Sequence, residues 1–292
     1  MPSFAVVKTL IRELFTQEQS QRVNEPDLVM DDPDKVAAYT RAGREDGVMA
    51  PVYLFHCAQI CEVIRPGDTV VDLACGPATQ LAMVARLNPQ TRFIGVDLSA
   101  EMLKKAKAYI AGQKLGNVEF HEGGITDLSF FEDDTVDAVI STVALHHLPD
   151  IAALEKTFSE INRLLKQDAG VYLVDFGHLK SEKSITNFAY QYADRQAELF
   201  TLDYLYSLRA AFSLKDFKVL SEKHLIKTAK LYSTFLMPYM VAIKSPPRRS
   251  PDQAIIASLD SIRKDLPSYH QKDLADLITF FQLGGLKSIL LG

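Results

Sequence analysis

Residues 70–87, VVDLACGPATQLAMVARL, decide how the chain is read. An apolar β-type run ends at the acidic Asp72 and Leu73. The small residues Ala74, Cys75, Gly76, Pro77 and Ala78 follow as a turn, and an amphipathic helix then runs over about 78–88. Small side chains let a ligand approach the backbone, and the first turn of a helix offers unpaired N–H groups to it. The segment is a candidate nucleotide-binding loop, or else a tight strand-to-helix turn with no ligand.

Working outward, the RPGD turn at 65–68 precedes this first strand, and the pattern repeats after it. TRFIGVDL precedes a helix at about 100–112. NVEFHEG, VDAVIST and GVYLVDF supply three more strands, with LEKTFSEINRLLK as a helix between the last two. Buried strands alternating with helices predict an α/β fold, a mostly parallel Rossmann-like sheet with helices on both faces. Such a sheet binds ligands at the carboxyl ends of its strands, where strand order reverses. The second strand ends in Asp97, 25 positions after Asp72, placed to accept both hydroxyls of a ribose. Leu98 and Met102 follow, either flanking an adenine or packing the core.

The flanks divide the chain further. Residues 1–64 read as an N-terminal helical lid: an amphipathic stretch FAVVKTLIRELF, a polar hinge, then helix interrupted near Gly47 and Pro51. Residues 65–180 form the core and 181–220 an aromatic-rich helical cap. Residues 221–245 return to the sheet through the strand-like LYSTFLMPYMVAIK, and 246–292 follow the SPPRRSPD linker as two helices. Arg248 and Arg249 in that linker read as solvated. The apolar LADLITFFQLGGLKSILL suggests a helix that closes the cap or meets a second subunit, so a homodimer is an expectation.

With 292 residues, 47% of them hydrophobic and 24% charged, the chain can bury a real core; disorder, collagen and a coiled-coil rod are excluded. Lys and Arg number 32 against 37 Asp and Glu, a net charge of -5 that gives no general attraction to nucleic acid. No apolar run is long enough to cross a bilayer, which speaks against an integral membrane partner. The cysteines Cys57, Cys61 and Cys75 cannot all pair and suit a reducing cytoplasm. Cys57 and Cys61 share one helix face near His56, yet a structural zinc site needs four ligands, so buried small hydrophobes are expected and no metal.

From Arg65 to Phe176 the chain resembles the class I, Rossmann-like S-adenosylmethionine-dependent methyltransferases. VVDLACGPA, GVDLSAEML, GGITDL with FFEDDTVDAVIST, and LHHLPD with LLKQDAGVYLVDF stand in the family's order. LHHLPD resembles the small-molecule branch that includes quinone-biosynthesis methyltransferases. The resemblance implies transfer of a methyl group from S-adenosylmethionine to a small-molecule acceptor. Its alternatives are a protein or RNA methyltransferase, or a non-catalytic partner subunit that only holds the donor. The turn is not GxGxxG, as a dehydrogenase would have, and the fourth strand lacks the DPPY or NPPY of DNA amino-methylating enzymes.

By the same resemblance Asp72, Ala74 and Gly76 face the methionine part, Asp97, Leu98 and Met102 the ribose and adenine, and Thr142 is a further donor-binding residue. Two positions depart from the family pattern. Alanine replaces glycine at Ala74 and Ala78, and Gly124 stands where an aspartate often takes the adenine amino group, leaving Asp127 or the backbone at Ile125 for that role. Tyr39, from the lid, is expected to reach the methionine carboxylate, with Tyr53 and His56 toward the acceptor. Methyl transfer from a sulfonium needs alignment above all, with a base where the acceptor is a hydroxyl. His146 and His147, just past the fourth strand, are the candidate bases, with His178 another. Tyr204 and Arg209 of the cap are candidate substrate contacts, for a ring or apolar acceptor and for a carboxylate or phosphate.

Overall fold

A computed structural model describes residues 4–291 apart from 28, 45, 46 and 226. Seven strands form one sheet: β1 (Thr69–Leu73), β2 (Arg92–Asp97), β3 (Val118–Glu122), β4 (Val136–Thr142), β5 (Leu165–Phe176), β6 (Lys230–Ser233) and β7 (Met240–Lys244). Their order is β3-β2-β1-β4-β5-β7-β6. β1 to β5 are parallel, and β7 is antiparallel to both β5 and β6. The order reverses between β1 and β4, so a crevice opens beyond their carboxyl ends.

The central strands are apolar runs rather than alternating ones because both faces are covered. Val70, Ile140, Tyr172 and Val174 face one helix layer. It contains α3 (Ala50–Val63), α4 (Thr79–Leu87), α10 (Gln253–Asp265) and α11 (Ser268–Leu283), with α5 (Ala100–Gly112) at its edge. Val71, Leu73, Val139 and Leu173 face α6 (Ile151–Leu164) and α9 (Leu214–His224) on the other side. Above the strand ends lie α2 (Pro33–Gly43), α7 (Glu182–Ala189) and α8 (Glu198–Ala210), while α1 (Phe4–Phe15) packs on α7.

Several local expectations change in the folded chain. The break between α2 and α3 falls at Gly47, where a Cβ would lie 2.3 Å from the Ala42 carbonyl oxygen; Pro51 sits in the first turn of α3. α6 stops at Leu164 and Leu165 already pairs with Val136, so the last residues of the LLK run are strand, with a register shift before Ala138. LYSTFLMPYMVAIK forms the hairpin β6–β7, in which Thr234 Oγ1 donates to the Met237 carbonyl at 2.6 Å and accepts the Met240 N–H at 3.1 Å. α11 packs its apolar stripe on α3, where Phe281 stacks on Phe55 with centroids 5.0 Å apart. Most of the apolar surplus that suggested a second subunit is covered within the chain, while Leu283 and Ile289 stay exposed. The linker arginines are not solvated: Arg248 donates to Asp68 Oδ2 at 2.6 Å and Arg249 to Asn88 Oδ1 at 2.7 Å, fastening the chain beneath the sheet. No helix of the described residues is long and apolar enough to cross a membrane.

Candidate active site

The turn after β1 holds Ala74, Gly76 and Ala78 at φ of 55°, 53° and 58°, all in the left-handed region. Glycine enters that region freely; an L side chain there costs about 1–2 kcal/mol. The turn is fixed by three bonds. The Cys75 N–H donates to the Val96 carbonyl at 3.0 Å, Gly76 N–H to Asp97 Oδ2 at 2.8 Å, and Ala78 N–H to the Cys75 carbonyl at 3.1 Å. Asp97 Oδ1 accepts the Ser99 N–H at 2.9 Å. Burial raises the Asp97 carboxyl above its ordinary range, opposed by these backbone N–H groups, and burial with the nearby Asp97 charge pushes Asp72 well up.

A cleft of about 1280 Å³ opens in front of this turn, lined by Ala74, Gly76, Asp97, Leu98 and Met102, and farther along by Gly123, Gly124, Ile125 and Thr126. A Cβ added to Gly76 would meet only the Tyr39 ring, at 3.9 Å, and one added to Gly124 would meet nothing within 4 Å. Backbone is therefore open to a ligand at both ends. Burial pushes the hydroxyls of both Tyr39 on α2 and Tyr53 on α3 up in pKa.

A second chamber adjoins the cleft and shares Tyr39, Val143 and His147 with it. Its walls are aromatic, among them Phe176, Tyr192, Phe200, Tyr204 and Tyr239; His146 and Asp203 contribute polar atoms. Val143, just past β4, has φ of 54°, a strained conformation for a β-branched residue at the junction of the two cavities.

The histidines sit in a 3₁₀ turn, Leu145–His147, which Asp175 near the end of β5 holds twice. Its Oδ2 accepts the His146 backbone N–H at 2.8 Å, and its Oδ1 lies 2.7 Å from His146 Nδ1. Glu25 reaches the other edge of the pair, with Oε1 at 3.4 Å from His146 Nε2 and Oε2 at 3.5 Å from His147 Nδ1, while Ser207 Oγ donates to it at 2.8 Å. Burial opposes protonation of His146, but the Asp175 charge and hydrogen bond, with Glu25, outweigh it and raise its pKa. Burial and the His146 charge drive His147 well down. Burial, then the Glu25 charge, pushes Asp203 up to about 7.

Glu25 belongs to an extended strap between α1 and α2, laid across the strand ends. Arg22 anchors the strap. Its guanidinium donates to the carbonyls of His146 at 3.1 Å, Leu148 at 2.5 Å, Pro149 at 2.8 Å and Ala210 at 2.7 Å, and lies 4.0 Å over the Phe212 ring.

Residues 70–168 match the family model described as a methyltransferase domain. The match spans the Rossmann-like core from β1 into β5. The chain is 31% identical over 132 residues to a 2-phytyl-1,4-naphtoquinone methyltransferase of Nostoc sp., covering 44% of this chain and 56% of that one. It is 43% identical over 86 residues to a trans-aconitate 2-methyltransferase of Deinococcus radiodurans, 30% of each chain. The chain thus spans about half or less of these relatives' lengths. Among solved structures, the fold is similar to a plantazolicin methyltransferase in complex with SAH, TM-score 0.56 at 16% identity over 90% of this chain and 92% of that one. It is also similar to a SAM dependent methyltransferase from Aquifex aeolicus, TM-score 0.52 at 16% identity over 73% and 97%.

Of the residues singled out in the sequence, the core brings Ala74, Gly76, Asp97, Leu98, Met102, Gly124 and Ile125 to one cleft, with Tyr39 above them and His147 on the shared wall. His146 and Tyr204 line the chamber. Asp72 lies buried in β1 and Thr142 at the end of β4; neither lines the cleft or the chamber. Asp127 turns outward, where its Oδ1 accepts the Ser129 N–H at 3.2 Å; the neighbouring Thr126 lines the cleft instead. His56 is sealed between α3 and the sheet against the Tyr172 hydroxyl at 2.7 Å, because the residues around it on α3 all face the core. Tyr53 is buried on α3 and lines neither the cleft nor the chamber. His178 is taken by the strap, its Nε2 at 3.0 Å from Ser20 Oγ, and Arg209 pairs with Glu182 outside the cavities. Glu25, Asp175 and Asp203 were not among the expected site residues. Asp175 alone carried a signal, as the acid near the end of the fifth strand.

Proposed function

We propose that this chain transfers the methyl group of S-adenosylmethionine to a small, ring-bearing or apolar acceptor held in the aromatic chamber. The observation that carries the reading is the shared wall: Tyr39, Val143 and His147 border both the glycine-turn cleft and the chamber, so two ligands meet there. The donor brings an activated methyl on a sulfonium. The chain's part is to hold and align. Asp97 would accept the ribose hydroxyls, the open backbone at Gly76 would take the methionine end under Tyr39, and Leu98, Met102 and the Gly124–Thr126 segment would flank the adenine. Neither Asp72 nor Asp127 is assigned a direct contact.

A proton lost by an acceptor hydroxyl would pass to the group built from His146, Asp175, Glu25 and His147, which meets the chamber through both histidines. Ala74 and Ala78 keep the turn's left-handed backbone despite their side chains, which supports a working donor site over a non-catalytic partner subunit. The lidded, acid-lined entrance favours a small acceptor over nucleic acid, and the three free cysteines suit a cytoplasmic enzyme. Titration with S-adenosylhomocysteine, then a screen of phenols, quinols and amines for donor-dependent methylation, tests the reading. Methylation that Asp97→Ala abolishes supports it; donor binding with no turnover across the panel would overturn the small-molecule acceptor.

A further inference from the structure

The strap does more than cover the site: it carries a carboxylate between two imidazoles. We propose that Glu25, His146 and His147 form a binding site for one divalent first-row transition cation at the wall of the acceptor chamber.

The spacing fits ligands better than hydrogen bonds. A charge-assisted N–H···O bond closes to about 2.7–2.9 Å. The contacts here stand open at 3.4 Å, His146 Nε2 to Glu25 Oε1, and 3.5 Å, His147 Nδ1 to Glu25 Oε2. Two ligands bound tetrahedrally at about 2.1 Å from one metal lie about 3.4 Å apart. One ligand atom from each of the three residues lies within 4.8 Å of the other two.

The surroundings prepare the nitrogen for a cation. Asp175 Oδ1 at 2.7 Å holds the proton on His146 Nδ1, and Oδ2 accepts the backbone N–H of the same residue, so the Nε2 lone pair of the neutral ring is turned toward the Glu25 carboxylate. Such facing atoms are joined either by a proton, which makes the ring an imidazolium, or by a cation, and the open 3.4 Å spacing favours the cation. A carboxylate behind a ligating histidine is the outer support that metal sites use to fix ring and tautomer. Ser207 Oγ fixes Glu25 in the same way, donating to Oε1 at 2.8 Å. Arg22 makes the unit stiff, because it binds the strap three residues from Glu25 to the carbonyls of His146, Leu148 and Pro149 around the histidine turn. The ligands are therefore placed by the fold.

Two imidazoles and one carboxylate select zinc, cobalt, manganese or iron over calcium and magnesium, which take oxygen ligands. Three protein ligands leave coordination positions open, and both histidines line the chamber, so an acceptor oxygen is the natural occupant. This last step rests on the methyltransferase reading; cation binding itself does not.

The test uses the full chain after chelator treatment and dialysis, titrated with Zn2+ by calorimetry and with Co2+ by visible absorption. One equivalent per chain is expected, with cobalt bands of a four- or five-coordinate site. Glu25→Gln and His147→Ala should each weaken Zn2+ binding at least about tenfold, and Asp175→Asn, a positioning change, by about 10–100-fold. Thermal melts establish that each variant is folded. Absence of stoichiometric uptake by the wild type, or uptake that Glu25→Gln and His147→Ala leave intact, overturns the site and leaves a protonated His146 between two carboxylates. S-adenosylhomocysteine titrated into the same samples reads the donor cleft separately. Zn2+ binding without it would sink the function and keep the metal; the converse would sink the metal and keep the function.

Discussion

Asp97 Oδ2 accepts the Gly76 N–H at 2.8 Å, so the carboxylate ending β2 holds the tip of the turn that follows β1. Its Oδ1 holds the next loop through Ser99 N–H at 2.9 Å. Each oxygen keeps a further lone pair for a ribose hydroxyl. Asp97→Ala removes charge-assisted bonds worth about 1.5–3 kcal/mol each, so S-adenosylhomocysteine should bind more than about a hundredfold more weakly. Asp97→Asn, which keeps one acceptor and the shape, should lose about tenfold, the smaller loss of an uncharged partner. Calorimetry on both decides; an unchanged dissociation constant in Asp97→Ala would show that the ribose binds elsewhere.

The alanines of the turn have a measurable cost. Ala74 lines the cleft at φ 55°. Replacing it by glycine relieves about 1–2 kcal/mol of left-handed strain and restores about 0.5–1 kcal/mol of chain entropy to the unfolded state. Ala74→Gly should therefore gain about 0.5–1 kcal/mol, raising Tm by about 2 °C in a chain of this size. Ala74→Val, β-branched in the same conformation, should lower Tm and crowd the cleft. A melt in which Ala74→Gly is less stable than the wild type would show that the turn does not hold this strain in solution.

What could be read ahead of the structure followed from local pattern. The apolar runs of β1, β4 and β5 betray burial on two sides, and Asp97 at the end of β2 falls where such sheets bind ligands. Glu25 could not be found that way. It lies in a polar stretch without period, and it reaches the histidines only because Arg22 bonds to carbonyls more than a hundred positions away. Arg248 likewise looked solvated beside prolines and another arginine, while its partner Asp68 lies in the turn before β1. His56 shows the reverse error: a polar residue in the lid suggested an acceptor contact, but the flanking Phe55 and Cys57 are buried and the imidazole goes with them.

That buried imidazole makes the fold acid-sensitive. Burial pushes the His56 pKa down to about 3, and its Nδ1 meets only the Tyr172 hydroxyl, at 2.7 Å. Unfolding returns the ring to an ordinary pKa of about 6.5, so the unfolded chain binds the extra proton between these values. The stability contributed by keeping His56 neutral is complete above about pH 6.5 and is lost as pH falls toward 3, by about 1.4 kcal/mol per unit and about 3 kcal/mol at pH 4. His56→Gln, which can still bond Tyr172, should flatten that slope although it is less stable at neutral pH. Urea midpoints across this range check it. Equal acid slopes in the two proteins would place the sensitivity elsewhere.

If the acceptor of the proposed reaction enters past the acidic residues beside the chamber, their charge selects among acceptors. A third hollow of about 900 Å³ joins the chamber through His147 and Asp203, and Glu25, Asp27, Asp31, Asp32 and Asp203 line it against one lysine, Lys35, which Asp27 engages at 2.5 Å. A carboxylate on the acceptor would be repelled along this path, and neither it nor the aromatic chamber offers an arginine among its described lining residues. Acceptors that are neutral or cationic at neutral pH should therefore exceed matched carboxylates in kcat/KM by at least about tenfold, a difference of about 1.4 kcal/mol. Screening acts over about 10 Å at 0.1 M salt, so the gap should narrow as salt rises, and Asp31→Asn with Asp32→Asn should narrow it at low salt. A carboxylate acceptor preferred over its methyl ester at low salt would mean that the substrate enters by another route.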